Sequence, residues 1–398
     1  MHTLAYPDIC MDEKDLYSKS IRSVFFMHTS EQIRFPYISF SYFSLHFNRM
    51  GDVPTRKERI RNMKKKRALM TLAGIGMAAF LLAGCGEKGT DAGNGNAASA
   101  ADETKEGAQE QGDGEEEENY NTGDASLDNP RNQDGIGENE LLVVSFGTSY
   151  NDSRRLTIGA IEEAMEDSFP DFSVRRGFTS QIIIDHVKSR DNVTIDNMTE
   201  ALERAADNGV KNLVIQPTHL MDGLEYNDVV DEAGDYSDAF EQIAIGKPLL
   251  SDDEDFQAVI KAITDDTKKY DDGETAICFM GHGTEAESNK VYEKMQNMLT
   301  EEGYDNYYVG TVEATPSLDD VLSAVQKGNY KRVVLQPLMI VAGDHANNDM
   351  AGADKDSWKS TFEDAGYQVE TVLRGLGEIQ AIRDIFTEHA QEAIASLN

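Results

Sequence analysis

The chain has few cysteines: three in 398 residues, namely Cys10, Cys85 and Cys278. Three thiols spaced this widely build neither a disulfide framework nor a cysteine-based zinc site. Cys278 lies inside an apolar, strand-like run, where it is most simply a small core residue. A metal site in this protein must therefore use other ligands.

The chain is also poor in positive charge. It has 37 lysines and arginines against 72 aspartates and glutamates, which gives a formal net charge of −35. Binding of nucleic acid needs a basic surface, so nucleic acid is excluded as a partner. The same acidic surface is repelled by anionic lipid, and attachment to a membrane must come from another feature.

Several common catalytic motifs are missing. The chain has no Gly-x-x-x-x-Gly-Lys-Ser/Thr loop, no His-Glu-x-x-His and no Gly-x-Ser-x-Gly elbow. Its one Gly-x-Gly-x-x-Gly match, at 84–89, opens no predicted helix. We therefore expect no nucleotide cofactor and neither of the commonest zinc-hydrolase and serine-hydrolase mechanisms.

Long hydrophobic runs are scarce, and the one at 68–82 has distinctive neighbours. It follows Lys-Lys-Lys-Arg at 64–67 and ends in Leu-Ala-Gly-Cys at 82–85. A basic region, a short apolar region and small residues in this order are typical of a secretory signal peptide. The ending resembles a bacterial lipobox, which predicts that Cys85 is lipidated and becomes the mature N-terminus. A transmembrane helix is the alternative, but about fifteen apolar residues are few for a span that needs about 20.

These features divide the first third of the chain. Residues 1–62 lack clear periodicity, and Met63 begins a conventional signal peptide by itself, so we interpret 1–62 as a dispensable leader ahead of the true start. Residues 63–85 form the lipoprotein signal peptide. Residues 86–139 are rich in Gly, Asn, Ala, Asp and Glu, a composition that cannot bury enough apolar surface to fold. They predict an acidic, disordered tether.

From Glu140 onward, strand and helix patterns alternate with short breaks. Runs rich in valine and isoleucine, without polar alternation, indicate parallel strands that are covered on both faces. We predict an α/β fold of two similar doubly wound lobes, at 140–250 and 251–398, with four parallel strands each. The predicted strands are 141–146, 172–176, 212–216, 242–246, 275–280, 307–312, 332–340 and 367–373, and the predicted helices include 153–167, 198–207, 317–327 and 378–397.

The two lobes repeat two motifs. Ser-Phe-Gly-Thr at 145–148 corresponds to Gly-His-Gly-Thr at 281–284, and Leu-Val-Ile-Gln-Pro at 213–217 corresponds to Val-Val-Leu-Gln-Pro at 333–337. General similarity between α/β units is the alternative explanation. A Gln-Pro at the end of a strand in both halves favours an internal duplication with a cleft between the lobes.

Three residues of the C-terminal lobe, His282, Glu313 and His345, each follow or end an apolar strand. The carboxyl ends of parallel strands share one edge of a sheet, which is where such folds place their sites. Two imidazoles and a carboxylate at that edge predict a site for Co, Fe, Ni or Zn with positions open to a substrate. Asp344 is predicted to orient a ligand imidazole from behind. The alternative is that each residue is a separate polar group of its own loop.

Two basic pairs, Arg154-Arg155 and Arg175-Arg176, lie near strand ends in an otherwise acidic lobe. Arginines in these positions suit the carboxylates of an anionic ligand. Simple solvation at the surface is the alternative. His219, which follows another strand end, is a further candidate for the cleft.

Several segments together carry a resemblance to a known family. They are Val-Val-Ser-Phe-Gly-Thr-Ser at 143–149, Gly-Phe-Thr-Ser at 177–180, Phe-Met-Gly-His-Gly at 279–283, Val-Glu at 312–313, Val-Ala-Gly-Asp-His-Ala-Asn-Asn-Asp-Met at 341–350, Asp-Ser-Trp-Lys at 356–359 and Gly-Leu-Gly-Glu at 375–378. These segments resemble the CbiK-type anaerobic cobaltochelatases, class II chelatases related to ferrochelatase. The resemblance extends from about Glu140 to the C-terminus, and the segment at 341–350 is its most specific part.

The resemblance implies two α/β lobes around a cleft that binds sirohydrochlorin. It places the family's metal ligands on His282, Glu313 and His345, of which His282 and Glu313 are also expected to be catalytic. The implied reaction is insertion of Co²⁺ into sirohydrochlorin with release of two protons; Fe²⁺, Ni²⁺ and Zn²⁺ are alternative metals. Ser145 and Thr148 join the arginines as expected contacts of the tetrapyrrole.

The sequence therefore supports two functional hypotheses. The first is a membrane-anchored, extracytoplasmic cobaltochelatase of the anaerobic route to cobalamin. The second is a non-catalytic lipoprotein that binds metal, haem or another tetrapyrrole for uptake. Export favours the second, whereas the intact ligand trio favours the first, because capture of haem alone does not need it. A homo-oligomer is compatible with either.

Overall fold

The computed structural model describes residues 122–397. Its strands are β1 (Asn139–Ser145), β2 (Ser173–Phe178), β3 (Asn212–Pro217), β4 (Gln242–Ile245), β5 (Thr275–Gly281), β6 (Tyr307–Thr311), β7 (Arg332–Pro337) and β8 (Gln368–Thr371). They form two four-stranded sheets in the orders β2-β1-β3-β4 and β6-β5-β7-β8. Every neighbouring pair is parallel. The predicted fold of two similar lobes with four parallel strands each is confirmed.

The interior strands β1 and β5 are buried on both faces. Leu141 and Val143 of β1 pack into one core cluster, whereas Leu142 and Val144 pack into another. Successive side chains of a strand point to opposite faces, so helices must cover both sides of the sheet. Cys278 of β5 is fully buried in the same way, as predicted, and burial raises the pKa of its thiol.

One core cluster extends through both lobes. Ile277 and Phe279 of β5 belong to the same buried cluster as Leu141 and Val143 of β1. The last helix, Gln380–Ala395, contributes further apolar side chains to this cluster. The two lobes are therefore joined by packed apolar side chains, and the cleft between them has a fixed base.

Helices connect the strands and cover the sheets. Their ranges are Asn151–Arg154, Ala160–Ser168, Gln181–Asp191, Met198–Asp207, Leu224–Asp235, Asp253–Thr267, Lys290–Glu301, Leu318–Val325, Trp358–Asp364 and Gln380–Ala395. The helix predicted at 153–167 contains a π-helical turn, Arg155–Gly159, between two α-helical segments. Within residues 122–397, none of the helices combines the length and apolar character that crossing a bilayer requires.

The ordered N-terminal lobe begins earlier than the predicted boundary at 140. A short 3₁₀ helix, Ala125–Leu127, precedes Asp128, whose carboxylate accepts hydrogen bonds from the Arg154 Nε at 2.6 Å and the Arg176 Nη1 at 2.7 Å. Arg131 lies 3.2 Å from the Glu162 carboxylate. Residues 122–138, the last part of the predicted tether, are therefore packed against the N-terminal lobe, and we call this segment the strap. The predicted leader, signal peptide and remaining tether lie outside the described residues.

Candidate metal centre

The carboxyl ends of three neighbouring strands bring the predicted metal ligands together. His282 directly follows β5, Glu313 lies two residues after β6, and His345 lies at the start of the helical turn beyond β7. β5 pairs with β6 on one side and with β7 on the other. The backbone N–H of Glu313 donates to the carbonyl of His282 at 2.9 Å, which fixes the two loops against each other. The predicted convergence of the three side chains is confirmed.

The trio is compact and open to solvent. One ligand atom from each of His282, Glu313 and His345 lies within 4.8 Å of the others. The two imidazole centroids are 4.6 Å apart, with the rings nearly perpendicular at 83°. The side chains are 48%, 55% and 32% exposed in the same order. Three protein ligands with an open side are typical of a metal site that exchanges its metal or binds a substrate.

The hydrogen bonds of the two histidines select their tautomers. The Nδ1 of His282 lies 2.8 Å from the carbonyl oxygen of Gly283, and the Nδ1 of His345 lies 2.7 Å from the Asp349 carboxylate. A carbonyl or carboxylate oxygen only accepts, so Nδ1–H donates in both cases. Each imidazole therefore presents the lone pair of Nε2, the arrangement that metal-bound histidines adopt.

The carboxylate that orients His345 is Asp349. Asp344, the predicted partner, instead accepts a hydrogen bond from the Asn348 amide at 2.7 Å. The chain turns helically after His345, which places the residue four positions later on the same face. The carboxylate that hydrogen-bonds the His345 imidazole is therefore Asp349, whereas the predicted residue, Asp344, hydrogen-bonds Asn348.

We expect Asp349→Asn to weaken Co²⁺ binding by roughly 10- to 100-fold, the usual effect of removing a carboxylate behind a ligand histidine. Asp344→Asn is the matched control, one residue away from the same imidazole, and should leave the affinity unchanged. Isothermal titration of both variants with Co²⁺ measures the difference. Equal affinities in the two variants would show that Asp349 does not support the metal site.

Gly283 allows the ligand loops to approach closely. Its φ is +90°, in the left-handed region that favours glycine, and a Cβ there would lie 2.9 Å from the Ala314 backbone nitrogen. Its N–H donates to the Tyr292 hydroxyl at 3.3 Å, and burial raises the pKa of that phenol to about 12. The glycine beside His282 is thus required by the loop that carries Glu313.

A cavity of about 460 Å³ opens between the lobes beside the trio. Both lobes contribute strand-end residues to its wall, among them Ser145, Thr218 and His219 from the first, and His282 and Glu313 from the second, together with the apolar segment 338–341. This volume is within the usual range for a small-molecule site. The cavity is therefore large enough to admit a ligand that both lobes contact.

Apolar side chains dominate the mouth of this cavity. Phe146 and Leu224 both line it and are 50% and 64% exposed. Exposed large apolar residues beside a cavity suit a flat, unsaturated ring that stacks on one side and packs on the other. Neither residue could be singled out from the sequence, because the pattern of a strand or helix does not show which apolar side chain stays exposed.

Three of the four predicted substrate-binding arginines have a different role. Arg154 and Arg176 are fully buried on Asp128, and Arg176 also donates to the Glu162 carboxylate at 2.7 Å. Arg175, also buried, donates its Nε to the Arg131 carbonyl at 2.8 Å. Their guanidinium groups are already occupied, so the prediction that they bind substrate carboxylates is wrong.

The remaining predicted contacts divide between the cavity and the protein interior. Ser145 lines the cavity, where its hydroxyl is 2.7 Å from the Thr218 hydroxyl. Thr148 is buried, and its carbonyl accepts from the Arg154 Nη1 at 3.1 Å; it is not among the described residues that line the cavity. Arg155 lies 3.5 Å from Asp152 and is 36% exposed, and its role stays a prediction.

The fold and the ligand trio together define a class of protein. The protein has two α/β lobes with parallel sheets, and two imidazoles and one carboxylate form an open ligand set beside the cavity that the lobes share. This combination is that of a metal-handling enzyme. The family model for cobalt chelatase (CbiK) matches residues 139–395. The chain belongs to the CbiK family and is a metal chelatase.

Two curated relatives also match the chain. A sirohydrochlorin cobaltochelatase of Salmonella typhimurium is 38% identical over 254 residues, which are 64% of this chain and 96% of that protein. The sirohydrochlorin cobaltochelatase CbiKC of Nitratidesulfovibrio vulgaris is 32% identical over 260 residues, 65% of this chain and 91% of that protein. The strap that contains Asp128 precedes the part matched by the family model.

Solved structures of chelatases also match the chain. SirB from Bacillus subtilis with Fe³⁺ is 16% identical, with a TM-score of 0.46 over 65% of this chain and 96% of that one. The sirohydrochlorin chelatase SirB from Bacillus subtilis subspecies spizizenii in complex with cobalt is 14% identical, with a TM-score of 0.46 over 65% of this chain and 97% of that one.

Proposed function

We propose that this protein inserts Co²⁺ into sirohydrochlorin and that it does so outside the cytoplasmic membrane, to which a lipid on Cys85 anchors it. The observation that carries the proposed reaction is the ligand trio beside a cavity between the lobes, whose wall includes His282 and Glu313. The names of the two curated relatives support the metal and the substrate. The signal-like segment at 64–85 supports the location.

In this proposal the metal is a substrate that the protein holds only briefly. The two Nε2 atoms and the Glu313 carboxylate bind Co²⁺ and leave positions open on the cavity side. The macrocycle nitrogens then replace the protein ligands one after another. His282 and Glu313 both line the cavity and stand at the point of transfer.

The proton balance defines what else the site must do. Co²⁺ bonds to four ring nitrogens, and the two pyrrole nitrogens that carry hydrogen each give up one proton. The reaction therefore releases two protons for each metal inserted, and the site needs groups that accept them. The Glu313 carboxylate, once it has released the metal, is able to accept one of the two.

The cavity wall also constrains how an anionic tetrapyrrole binds. Among the described residues that line the cavity there is no lysine or arginine, whereas Glu225, Glu285 and Glu313 are present. A carboxylate buried against these groups would be strongly disfavoured. The substrate's carboxylate side chains therefore stay at the open mouth, in water, while the ring enters between Phe146 and the second lobe.

Anaerobic incubation of the purified chain with sirohydrochlorin and Co²⁺ tests this function. We expect the absorbance spectrum to change to that of the cobalt complex, with multiple turnovers for each protein molecule. Parallel reactions with Fe²⁺ and Ni²⁺ rank the metals by initial rate. Tight tetrapyrrole binding without any acceleration over the protein-free reaction would contradict chelation and support the uptake lipoprotein instead.

A further inference from the structure

A second imidazole lines the cavity from the other lobe. His219 lies two residues after β3, and its carbonyl accepts a hydrogen bond from the Leu249 N–H at 2.9 Å, which fixes the backbone at this point. The cavity wall thus carries His282 on the second lobe and His219 on the first. A flat ring that fills this cavity contacts His282 and Glu313 of the second lobe and His219 of the first.

The His219 ring lacks the partners that buried histidines usually have. Both of its nitrogens are shielded from solvent, and neither has a hydrogen-bond partner within the described part of the chain. A buried polar group left unpaired costs free energy, so its presence calls for an explanation such as a catalytic role. By contrast, the buried His389 pairs with the Asp255 carboxylate at 2.9 Å.

The surroundings of His219 also keep the ring uncharged. Burial lowers the pKa of this histidine to about 4, so the imidazole is neutral throughout the range around pH 7. A neutral imidazole has a lone pair with which it accepts a proton. The side chains of the metal trio are less suited to this task while they coordinate the metal, because the lone pairs concerned are then engaged.

We propose that His219 is a catalytic base of chelation, which accepts a pyrrole proton on the ring face opposite the metal. This inference rests on the proposed function. The N–H bond of one pyrrole breaks, its electron pair forms the Co–N bond, and the proton passes to a ring nitrogen of His219. The second pyrrole proton leaves on the metal side to Glu313. The His219 imidazolium then returns its proton to water when the product leaves.

Two variants test this role. His219→Gln keeps a polar side chain of similar reach, and His219→Ala leaves space that free imidazole fills. For both we expect kcat to fall by about 100-fold or more, in the range for loss of a general base. KM for sirohydrochlorin and the affinity for Co²⁺, measured by calorimetry, should stay within about threefold of the parent. Added imidazole should restore part of the kcat of His219→Ala.

The control is His186→Gln, because His186 lies on the helix Gln181–Asp191 and is not among the described residues that line the cavity. Its kcat should equal that of the parent. A His219→Gln protein with parental kcat would overturn the inference, as would a His219→Ala protein that imidazole does not restore. A parent protein that fails to chelate at all would instead refute the proposed function, so the two failures are distinguishable.

Discussion

We expect His282→Ala and His345→Ala each to weaken Co²⁺ binding by more than roughly 100-fold. That factor is the upper end of the usual effect of removing a carboxylate that supports a ligand histidine, and removing the ligand itself should cost more. Each change removes one of three ligands and the Nε2 lone pair that the hydrogen bonds of the ring hold in place. Chelation should be nearly abolished. Sirohydrochlorin binding should persist, because most of the cavity wall is unchanged.

Glu313→Gln should behave similarly but retain some activity, since the amide oxygen still coordinates weakly whereas the negative charge is lost. All three side chains are at least about a third exposed, so their removal leaves the core intact. Circular dichroism checks that the variants are folded. Calorimetry measures their Co²⁺ affinity, and the change of absorbance measures the rate of chelation. Parental Co²⁺ affinity and chelation in all three variants would exclude the trio as the metal site.

Cys85→Ser is expected to move the protein from the membrane fraction to the soluble fraction, or to leave it as an unprocessed precursor. The reason is chemical: in the proposed anchor the lipid is bonded to the cysteine sulfur through a thioether, and serine has no sulfur. Fractionation and mass spectrometry of the mature N-terminus measure the outcome in the native host. Cys10→Ser, upstream of the predicted start at Met63, is the control and should change nothing. A mature N-terminus upstream of Cys85 would contradict the anchor.

Much of the fold follows from local sequence patterns. The interior strands β1, β3, β5 and β7 were predictable because each is a short apolar run that is buried on both faces, whereas β8 at the edge of its sheet is polar and partly exposed. The trio was predictable for a topological reason, since residues after adjacent parallel strands must meet at one edge. His282, Glu313 and His345 therefore emerge without any knowledge of distant packing.

The role of Arg154 and Arg176 could not be predicted from the sequence, because it depends on a distant residue. Asp128 lies 26 and 48 residues from Arg154 and Arg176, with which it forms ion pairs, in a segment whose composition resembles a disordered tether. Only the folded lobe reveals that Arg154 and Arg176 are buried on it. A basic pair near a strand end therefore has the same pattern whether it binds substrate or closes an interior ion-pair network.

The orienting carboxylate was misassigned for a related reason. Asp344 and Asp349 are equally plausible partners of His345 in a one-dimensional pattern. The helical turn that begins at His345 decides between them, because it brings the residue four positions later beside the imidazole. Its exact start depends on the packing of Ala346 and Met350, both buried, which sequence periodicity does not specify.

The most direct test of the metal site follows bound Co²⁺ from the trio into the tetrapyrrole ring. The protein is loaded with one equivalent of Co²⁺, freed of unbound metal by desalting, and mixed anaerobically with sirohydrochlorin. If the trio supplies the metal, nearly all of the bound cobalt appears in the tetrapyrrole, and His345→Ala retains too little cobalt to form product. Cobalt that stays on the protein, while free Co²⁺ is inserted at the usual rate, would show that the trio does not supply the metal for chelation.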